Sequence, residues 1–334
     1  MTETVPGLLL PDTGGEPIEM GLRAEELGYE TAWMGELWGT SSVVALTELA
    51  VRTEHIGLGT AIVNVFSRTP AVLAMTAATL DRTSGGRFTL GVGTSTRKAI
   101  EDLHGMDWSD PNPVRRAHDT IELTKRFLES DGRIEYDGEV FEVADFPSLD
   151  SDVPVYHAAL GTANRRVVAR LAGGWMPHNV PFPDLEESFE YIAEHAREAG
   201  RNPGEISVAP YVPAAVADDP SEARDAVRGH LAYYVGSGSG YERAVATRFP
   251  DEAGEIAAHW RGEGRERDRG AAKGAVTDEM IEALGVAGTP ETARERLHEV
   301  LDREIVDEPL VAIPQNASPE MVDRTVEELS PERL

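Results

Sequence analysis

Apolar and polar positions alternate along this chain in short blocks of two alternating periods. Val5 to Leu10 reads as a first strand. Glu16 to Leu27 carries apolar residues at Ile18, Met20, Leu22, Ala24 and Leu27, a helical stripe closed by Gly28. Thr31 to Met34 predicts a second strand and Val43 to Val51 a second helix. Ile56 to Val63 and Phe88 to Val92 predict the third and fourth strands. Within this part, Leu58 to Thr94 is the unit around which the chain is organised. Two apolar strands flank one helix there, and both strands end in small or hydroxylated residues, as a ligand at the strand ends requires.

The same alternation continues. Val114 to Leu128 predicts a helix, and Ile134 to Phe141 a hairpin turning at Asp137-Gly138. Val153 to Ala158, Gly174 to Pro177 and Ile206 to Val216 predict the fifth to seventh strands, with helices over Thr162 to Leu171 and Leu185 to Ala199. The second of these starts with Asp184 and Glu187 at capping-box spacing. Leu310 to Ile313 and Pro319 to Leu329 supply the last strand and a closing helix. Thr69-Pro70, Asp219-Pro220, Thr289-Pro290 and Ser318-Pro319 each place a side-chain acceptor before a residue that lacks a donor, which predicts helix starts. Trp108 to Pro111 reads as a loop. The region from about 236 to 284 reads as an insertion; its Gly- and Arg-rich part, Gly236 to Gly274, reads as an insertion or a mobile loop segment, with Gly236 to Gly240 a flexible linker. Strands alternating with helices argue for a parallel sheet, and eight such units fit one α/β domain over residues 1–334, a (β/α)8 TIM barrel. In that fold the ligand sits at the C-terminal strand ends. These are Leu9-Leu10, Gly35-Glu36, Ala61 to Asn64, Gly93 to Thr96, Ala158 to Gly161, Met176 to Asn179 and Pro210-Tyr211.

Charge changes the picture most. Asp and Glu number 59 against 31 Lys and Arg, a net charge of −28, and only Lys98, Lys125 and Lys273 are lysines. Such a field repels nucleic acid and anionic membranes, so neither is expected as a partner. Acids spread over helices, with arginine in place of lysine, read as a halophilic protein of high-salt cytoplasm, such as a haloarchaeal one, whose self-repulsion salt screens, or as an ordinary acidic protein. No apolar run approaches a membrane span and the first residues show no secretion signal, which predicts a cytoplasmic protein. The absence of cysteine removes disulfides, thiolate ligands and a thiol nucleophile.

Several clusters could carry chemistry. Leu90-Gly91-Val92-Gly93 lacks the third glycine and the following helix of a dinucleotide fingerprint. It reads instead as a strand end where glycines let a flat ring approach, or as a packing device. Ala159 to Arg166 closes a strand and opens a helix. Its N–H groups, the Thr162 hydroxyl, Arg165 and Arg166 suit a phosphate, or form a plain capped turn. The histidines lack metal-ligand spacing, and His157, His178 and Glu36 share a pocket only in a barrel, so no metal is expected. Glu36 at a strand end could hold a proton or serve as a structural carboxylate. Arg261 to Arg269 alternate with acids, as a solvated face does, or grip a polyanionic tail.

At these residues the chain resembles the bacterial-luciferase-like superfamily. The residues that carry the likeness are Arg68-Thr69-Pro70, Ala78 to Asp81, Ser84 to Phe88 and Leu90 to Gly93, with Ala24 to Tyr29 upstream and Val286 to Glu291 near the end. The Leu58 to Asn64 stretch resembles the coenzyme F420-dependent branch and is similar to methylenetetrahydromethanopterin reductase. The resemblance implies a TIM barrel with F420 across the strand ends, hydride transfer at the deazaflavin C5, and a homodimer. It also implies a third-strand bulge, with a non-prolyl cis peptide at Ala61–Ile62 behind the ring. Thr60, Ala61, Ile62 and Asn64 would line the cofactor on one side and Gly93, Thr94 and Ser95 on its neighbouring edge. Ala159, Leu160, Gly161 and Thr162 would hold its phosphate, with Glu36 the candidate catalytic acid.

Two departures from the family pattern bear on the reaction. Alcohol- and sugar-oxidising relatives carry an acid-histidine pair after the second strand, where this chain has Glu36-Leu37. They carry a glutamate after the fourth, where it has Ser95-Thr96. Reduction of an activated C=C or C=N bond of a small molecule fits better, with a proton from Glu36, a hydroxyl or water. An FMN-dependent monooxygenase and a non-catalytic flavin-binding barrel are the competing readings.

Overall fold

A computed structural model describes residues 4–13, 15–109, 112–262 and 267–334. Asp110 and Pro111 of the expected loop and Arg265 of the arginine run fall outside the described residues. Eleven parallel segments form one curled sheet. Eight positions make the barrel: β1 (Gly7–Leu10), β2 (Thr31–Met34), β3 (Gly57–Thr60), β4 (Phe88–Gly93), β5 (Val155–Ala158), β6 (Gly174–Trp175), β7 in two parts (Ser207–Val208 and Tyr211–Val216) and β8 (Leu310–Ala312). Neighbours pair in that order, β1 with β8, and the first part of β7 pairs with β6 while the second pairs with β8. Closure runs through the break in β7. Ala209 N–H donates to Trp175 O (2.9 Å), Tyr211 N–H to Pro177 O (2.9 Å) and Leu310 N–H to Pro210 O (2.8 Å). Pro210, having no donor, is where the strand lets go of one neighbour and takes the other. The single seventh strand expected from the sequence is therefore two.

The helices are α1 (Pro17–Glu26), α2 (Ser42–Arg52), α3 (Pro70–Ser84), α4 (Pro113–Glu129), α5 (Thr162–Leu171) and α6 (Leu185–Glu198). They are followed by α7 (Pro220–Ser237), α8 (Ser239–Val245), α9 (Pro250–Arg261), α10 (Arg269–Gly274), α11 (Asp278–Leu284), α12 (Pro290–Leu301) and α13 (Pro319–Glu328). All four cap–proline starts form, with Thr69, Asp219, Thr289 and Ser318 accepting from N–H groups of the first turn. Asn112 before Pro113 does the same for α4. The capping box at Asp184 does not form, because its carboxylate accepts from Arg248 (2.6 and 3.1 Å) instead. The antiparallel pair Arg133–Asp137 and Glu142–Pro147 stands outside the barrel; residues 138–141 form the turn, so the second arm begins where the expected hairpin ends, and only the first arm lies where the sequence places it.

The largest departure lies at residues 236–274. In place of a mobile loop, α8 to α10 pack with α7 around their own core, which includes Val235, Val245, Phe249, Ile256 and Ala272. The stretch Gly236 to Gly240 is no linker. A side chain at Gly236 would run into the Trp260 ring, 2.2 Å away, so the residue is small to admit the tryptophan. Val286–Gly288, unpredicted as a strand, pairs with Ala214 to Val216 and roots this helical unit on the barrel. Its three residues are too few for a periodic signal. Among the described residues no helix is long and apolar enough to cross a membrane.

Candidate active site

The third strand bulges where it meets the ligand end of the barrel. β3 pairs with β4 at Leu58↔Phe88 and Gly59↔Thr89, and pairing resumes at Val63↔Val92 and Asn64↔Gly93. Three residues of the third strand, Thr60 to Ile62, thus face two of the fourth, Leu90 and Gly91, the one-residue excess of a bulge. Thr60 stitches the gap: its buried hydroxyl donates to Gly91 O and accepts from Gly91 N–H, both at 2.8 Å. No other residue type fits at Gly91, where a Cβ would stand 1.9 Å from Thr60 O. Ile62 is forced to φ 117°, a region that β-branched residues avoid. The surroundings hold it there. Ala61 N–H donates to Met34 O (2.9 Å), Glu36 N–H donates to Ile62 O (3.3 Å), and the Tyr211 hydroxyl donates across the barrel to Ala61 O.

The other expected cofactor residues fall around this bulge with different tasks. Asn64 is buried and its amide oxygen accepts from Phe66 N–H (3.1 Å) and Ser67 N–H (2.7 Å), so it shapes the loop. The Ile62 side chain lies over Gly93, 3.1 Å from where a Cβ would be. Thr94 and Ser95 follow half-buried, Ser95 with φ 60°. Ala159 is buried and its carbonyl accepts from the Trp175 indole (2.8 Å). Leu160 is half-buried below Gly240. Gly161 and Thr162 are exposed at the start of the ten-residue α5, which has no side-chain cap, leaving a helix N-terminus open to an anion. The two arginines expected to complete a phosphate cradle turn away, Arg165 over the Trp175 ring (5.5 Å) and Arg166 over Tyr191 (5.9 Å).

Glu36 is not poised as an acid. Burial alone would raise its pKa, but paired hydrogen bonds and charge from Arg68, with Ser41 and Ser42 beyond, hold it below the ordinary carboxylate value. Arg68 grips both oxygens, Nη2 to Oε1 at 2.9 Å. The carboxylate therefore stays ionised and fixes the Arg68-Thr69-Pro70 turn. His157 also lies apart, fully buried. Its Nδ1 faces Val92 O (3.1 Å) and its Nε2 faces Asn164 Oδ1 (3.4 Å), and burial lowers its pKa. His157, His178 and Glu36 consequently do not share a pocket. One metal-like grouping occurs among the described residues, His118, Asp119 and Glu122 on α4, but Arg115 and Arg126 already pair its carboxylates.

His178 and Tyr211, expected at the strand ends, are joined at the mouth by His230, Tyr234 and Tyr241, which the sequence did not point to. The His178 ring stacks on Tyr211 (4.6 Å, 13°) and meets Tyr234 edge-on (4.2 Å, 62°) and Tyr241 likewise (5.2 Å, 68°). His230 on α7 lies 5.7 Å from His178 and 4.7 Å from Tyr234. The turn between α7 and α8 overhangs the strand ends, since a side chain on Gly238 would meet Tyr241 at 2.7 Å and Thr96 at 3.5 Å. The signal existed as His230 and Tyr234 four apart on one helical face, which reads as core until the barrel mouth is seen beneath it.

A barrel with a bulged third strand, glycine-cleared fourth strand and open helix N-terminus after the fifth fits a flat ring carrying a phosphate. The chain is 32% identical over 314 residues to 5,10-methylenetetrahydromethanopterin reductase of Methanopyrus kandleri, 88% of each chain. To the reductase of the same name from Methanolobus tindarius it is 30% identical over 290 residues, 84% of each. The solved coenzyme F420-dependent tetrahydromethanopterin reductase of Methanopyrus kandleri superposes with TM-score 0.81 at 28% identity, covering 99% of this chain and 98% of that one. Residues 5–308 match the family model described as luciferase-like monooxygenase, and the chain belongs to that family.

Proposed function

We propose that the protein is an oxidoreductase that uses coenzyme F420 and acts on a small organic molecule. The bulge at Thr60 to Ile62 carries this reading. Its strained backbone is buttressed from three sides by Met34, Glu36 and Tyr211, which gives a ring a rigid back wall and leaves the Gly91-to-Ser95 side open. The residues fit the cofactor: Ala61, Ile62 and Gly93 would back the ring, while Gly161 and Thr162 would take its phosphate on the α5 N-terminus. Bound there, the deazaflavin supplies hydride chemistry at C5. The chain's part is to hold the ring, bring substrate against its free face and exclude water. Glu36, kept ionised by Arg68, is not the proton source, so that role passes to a hydroxyl or to water. With neither an acid-histidine pair after β2 nor a glutamate after β4, reduction of a C=C or C=N bond is favoured over alcohol oxidation.

Titration of the purified protein with F420 and, separately, FMN, following ring fluorescence, tests the cofactor. Micromolar or tighter F420 binding with weak FMN binding is expected; tight FMN binding would make the protein a flavin monooxygenase, and binding of neither a non-catalytic barrel. Rapid oxidation of simple alcohols or sugar phosphates with F420 would overturn the reductive assignment.

The assembly belongs to the same proposal. Val44 and Val51 on α2 are 69% and 67% exposed, and Val72 and Met75 are exposed on α3, the helix packed against it. Exposed apolar side chains on these two adjoining helices support a homodimer through α2 and α3. Light scattering should give twice the chain mass, and Val44→Glu should halve it. The acidic composition supports a halophilic enzyme, whose melting temperature should fall when molar salt is removed.

A further inference from the structure

Three polar side chains at the barrel mouth are more than nine-tenths buried and have no hydrogen-bond partner for the atoms concerned. His178 is 8% exposed, Asn179 3% and His230 9%. The Nε2 atoms of both histidines and both polar atoms of the Asn179 amide are the orphans. Such groups are costly to leave unsatisfied and usually mark a site where something else supplies the bond. The two histidines lie together among the rings of Tyr211, Tyr234 and Tyr241, His178 on the loop after β6 and His230 on α7, and Asn179 follows His178 in the chain.

We propose that this cluster binds the flat reacting end of the substrate and selects one that carries no negative charge there. The inference rests on the cofactor assignment above, because the Tyr211 hydroxyl ties the cluster to the Ala61 carbonyl behind the expected ring. Stacked and edge-on aromatic faces favour a planar group. The polar atoms are neutral. Burial drives the pKa of both histidines down, helped at His178 by His230. Each imidazole then offers one donor and one acceptor. Burial and neighbouring tyrosines push the Tyr211 and Tyr234 hydroxyls up, so they remain protonated, and the Asp12 carboxylate adds to that effect. The formal charge these tyrosines sense is thus negative. Two guanidinium groups of the helical unit are engaged elsewhere: Arg261 donates to Gly236 O (2.7 Å) and pairs with Glu242, and Arg269 lies over Trp260 (5.0 Å). A carboxylate or phosphate inserted here would lose its water and meet no cation among the side chains of the cluster itself.

Quinoxaline and quinoxaline-2-carboxylate are the same flat ring without and with a negative charge. Binding of each to the full chain, with and without F420, is read from the imidazole NMR signals of His178 and His230. Quinoxaline should shift both sets of signals and bind at least tenfold more tightly than the carboxylate. His178→Ala and His230→Phe should each weaken it about fivefold or more, and His178→Gln, which keeps a hydrogen bond, should recover most of the loss. F420 affinity and circular dichroism report whether the variants fold. Equal or tighter binding of the carboxylate, unmoved imidazole signals, or unaltered affinity in the folded variants would overturn the proposal. Failure of F420 to bind while quinoxaline behaves as stated would instead overturn the cofactor assignment alone.

Discussion

Glu308 sits at the end of the barrel opposite the ligand mouth, immediately before β8, and its carboxyl is buried beneath the first two strands. It accepts a hydrogen bond from the Trp33 indole (2.8 Å), and only the lack of a side chain at Gly7 makes room for it, a Cβ there lying 2.3 Å from Oε1. Burial raises its pKa to about 7; hydrogen bonds from Trp33 and Thr31 only partly oppose this. A carboxyl raised from 4.5 to about 7 binds more protons folded than unfolded. Its stabilising contribution is complete below about 4.5 and is lost as pH rises through 7. The span is worth about 3 kcal/mol. For 334 residues the unfolding entropy is on the order of 0.7 kcal/mol per kelvin, so melting should fall by about 4 °C between pH 5 and pH 8 from this group alone. Glu308→Gln keeps an acceptor for Trp33 and removes the titration. It should melt higher than wild type at pH 8, about equally at pH 5, and show a flatter profile by calorimetry at constant salt. Parallel profiles for the two proteins would refute the reasoning.

Other outcomes follow from the same geometry. Burial lowers the His230 pKa from 6.5 to about 4, so its contribution is present above 6.5 and lost as pH falls towards 4, about 3 kcal/mol in all; His230→Phe should flatten that acid limb in the same calorimetric series. Gly91→Ala places a methyl 1.9 Å from Thr60 O and should cost about 3 kcal/mol or more in urea unfolding, whereas Gly93→Ala meets only the movable end of Ile62 at 3.1 Å and should fold while binding F420 more weakly. Arg68→Gln leaves Glu36 half-buried without its bidentate partner and should cost about 1–3 kcal/mol at pH 7. That gap should narrow as pH falls below the ordinary carboxylate value, because wild type loses the pairing as Glu36 protonates.

What was legible in the sequence was what local chemistry determines. Thr69-Pro70 and its three counterparts announce helix starts because cap and proline act within one turn. The strand ends could be placed because short apolar runs bounded by turns admit few alternatives. The bulge was expected from resemblance to a family, not from periodicity, since Leu58 to Asn64 reads as one strand until the register with β4 is known. The helical unit after Gly236 is hidden in the sequence because closely spaced glycines also make linkers. Gly236 is small for a reason that only tertiary packing reveals, the Trp260 ring against it. Asp184 was assigned to its own helix when Arg248, 64 residues away, has the stronger claim on it. Glu36 reads as an acid because its strand-end position is visible in the sequence, whereas nothing local marks Arg68, 32 residues later, as its partner.

The groups that answer to the cofactor, Thr60 to Ile62 and Gly91 to Ser95, belong to strands whose hydrogen bonds close on one another, so the wall is rigid and its residues are interdependent. The groups proposed to answer to the substrate, His178, His230, Tyr234 and Tyr241, are contributed mainly by α7 and α8, which have a separate core; Tyr211 of β7 reaches the wall at Ala61, and the Gly238 turn lies beside Thr96. Positions on separate cores that share no partner vary nearly independently. Substitutions in α7 and α8 should therefore change which molecule is accepted while leaving F420 affinity within about twofold. A change at the Thr60–Gly91 stitch should damage both together. If rings on α7 and α8 moved cofactor and substrate affinity in step, the division would be wrong and the mouth of the barrel would have to be treated as one site.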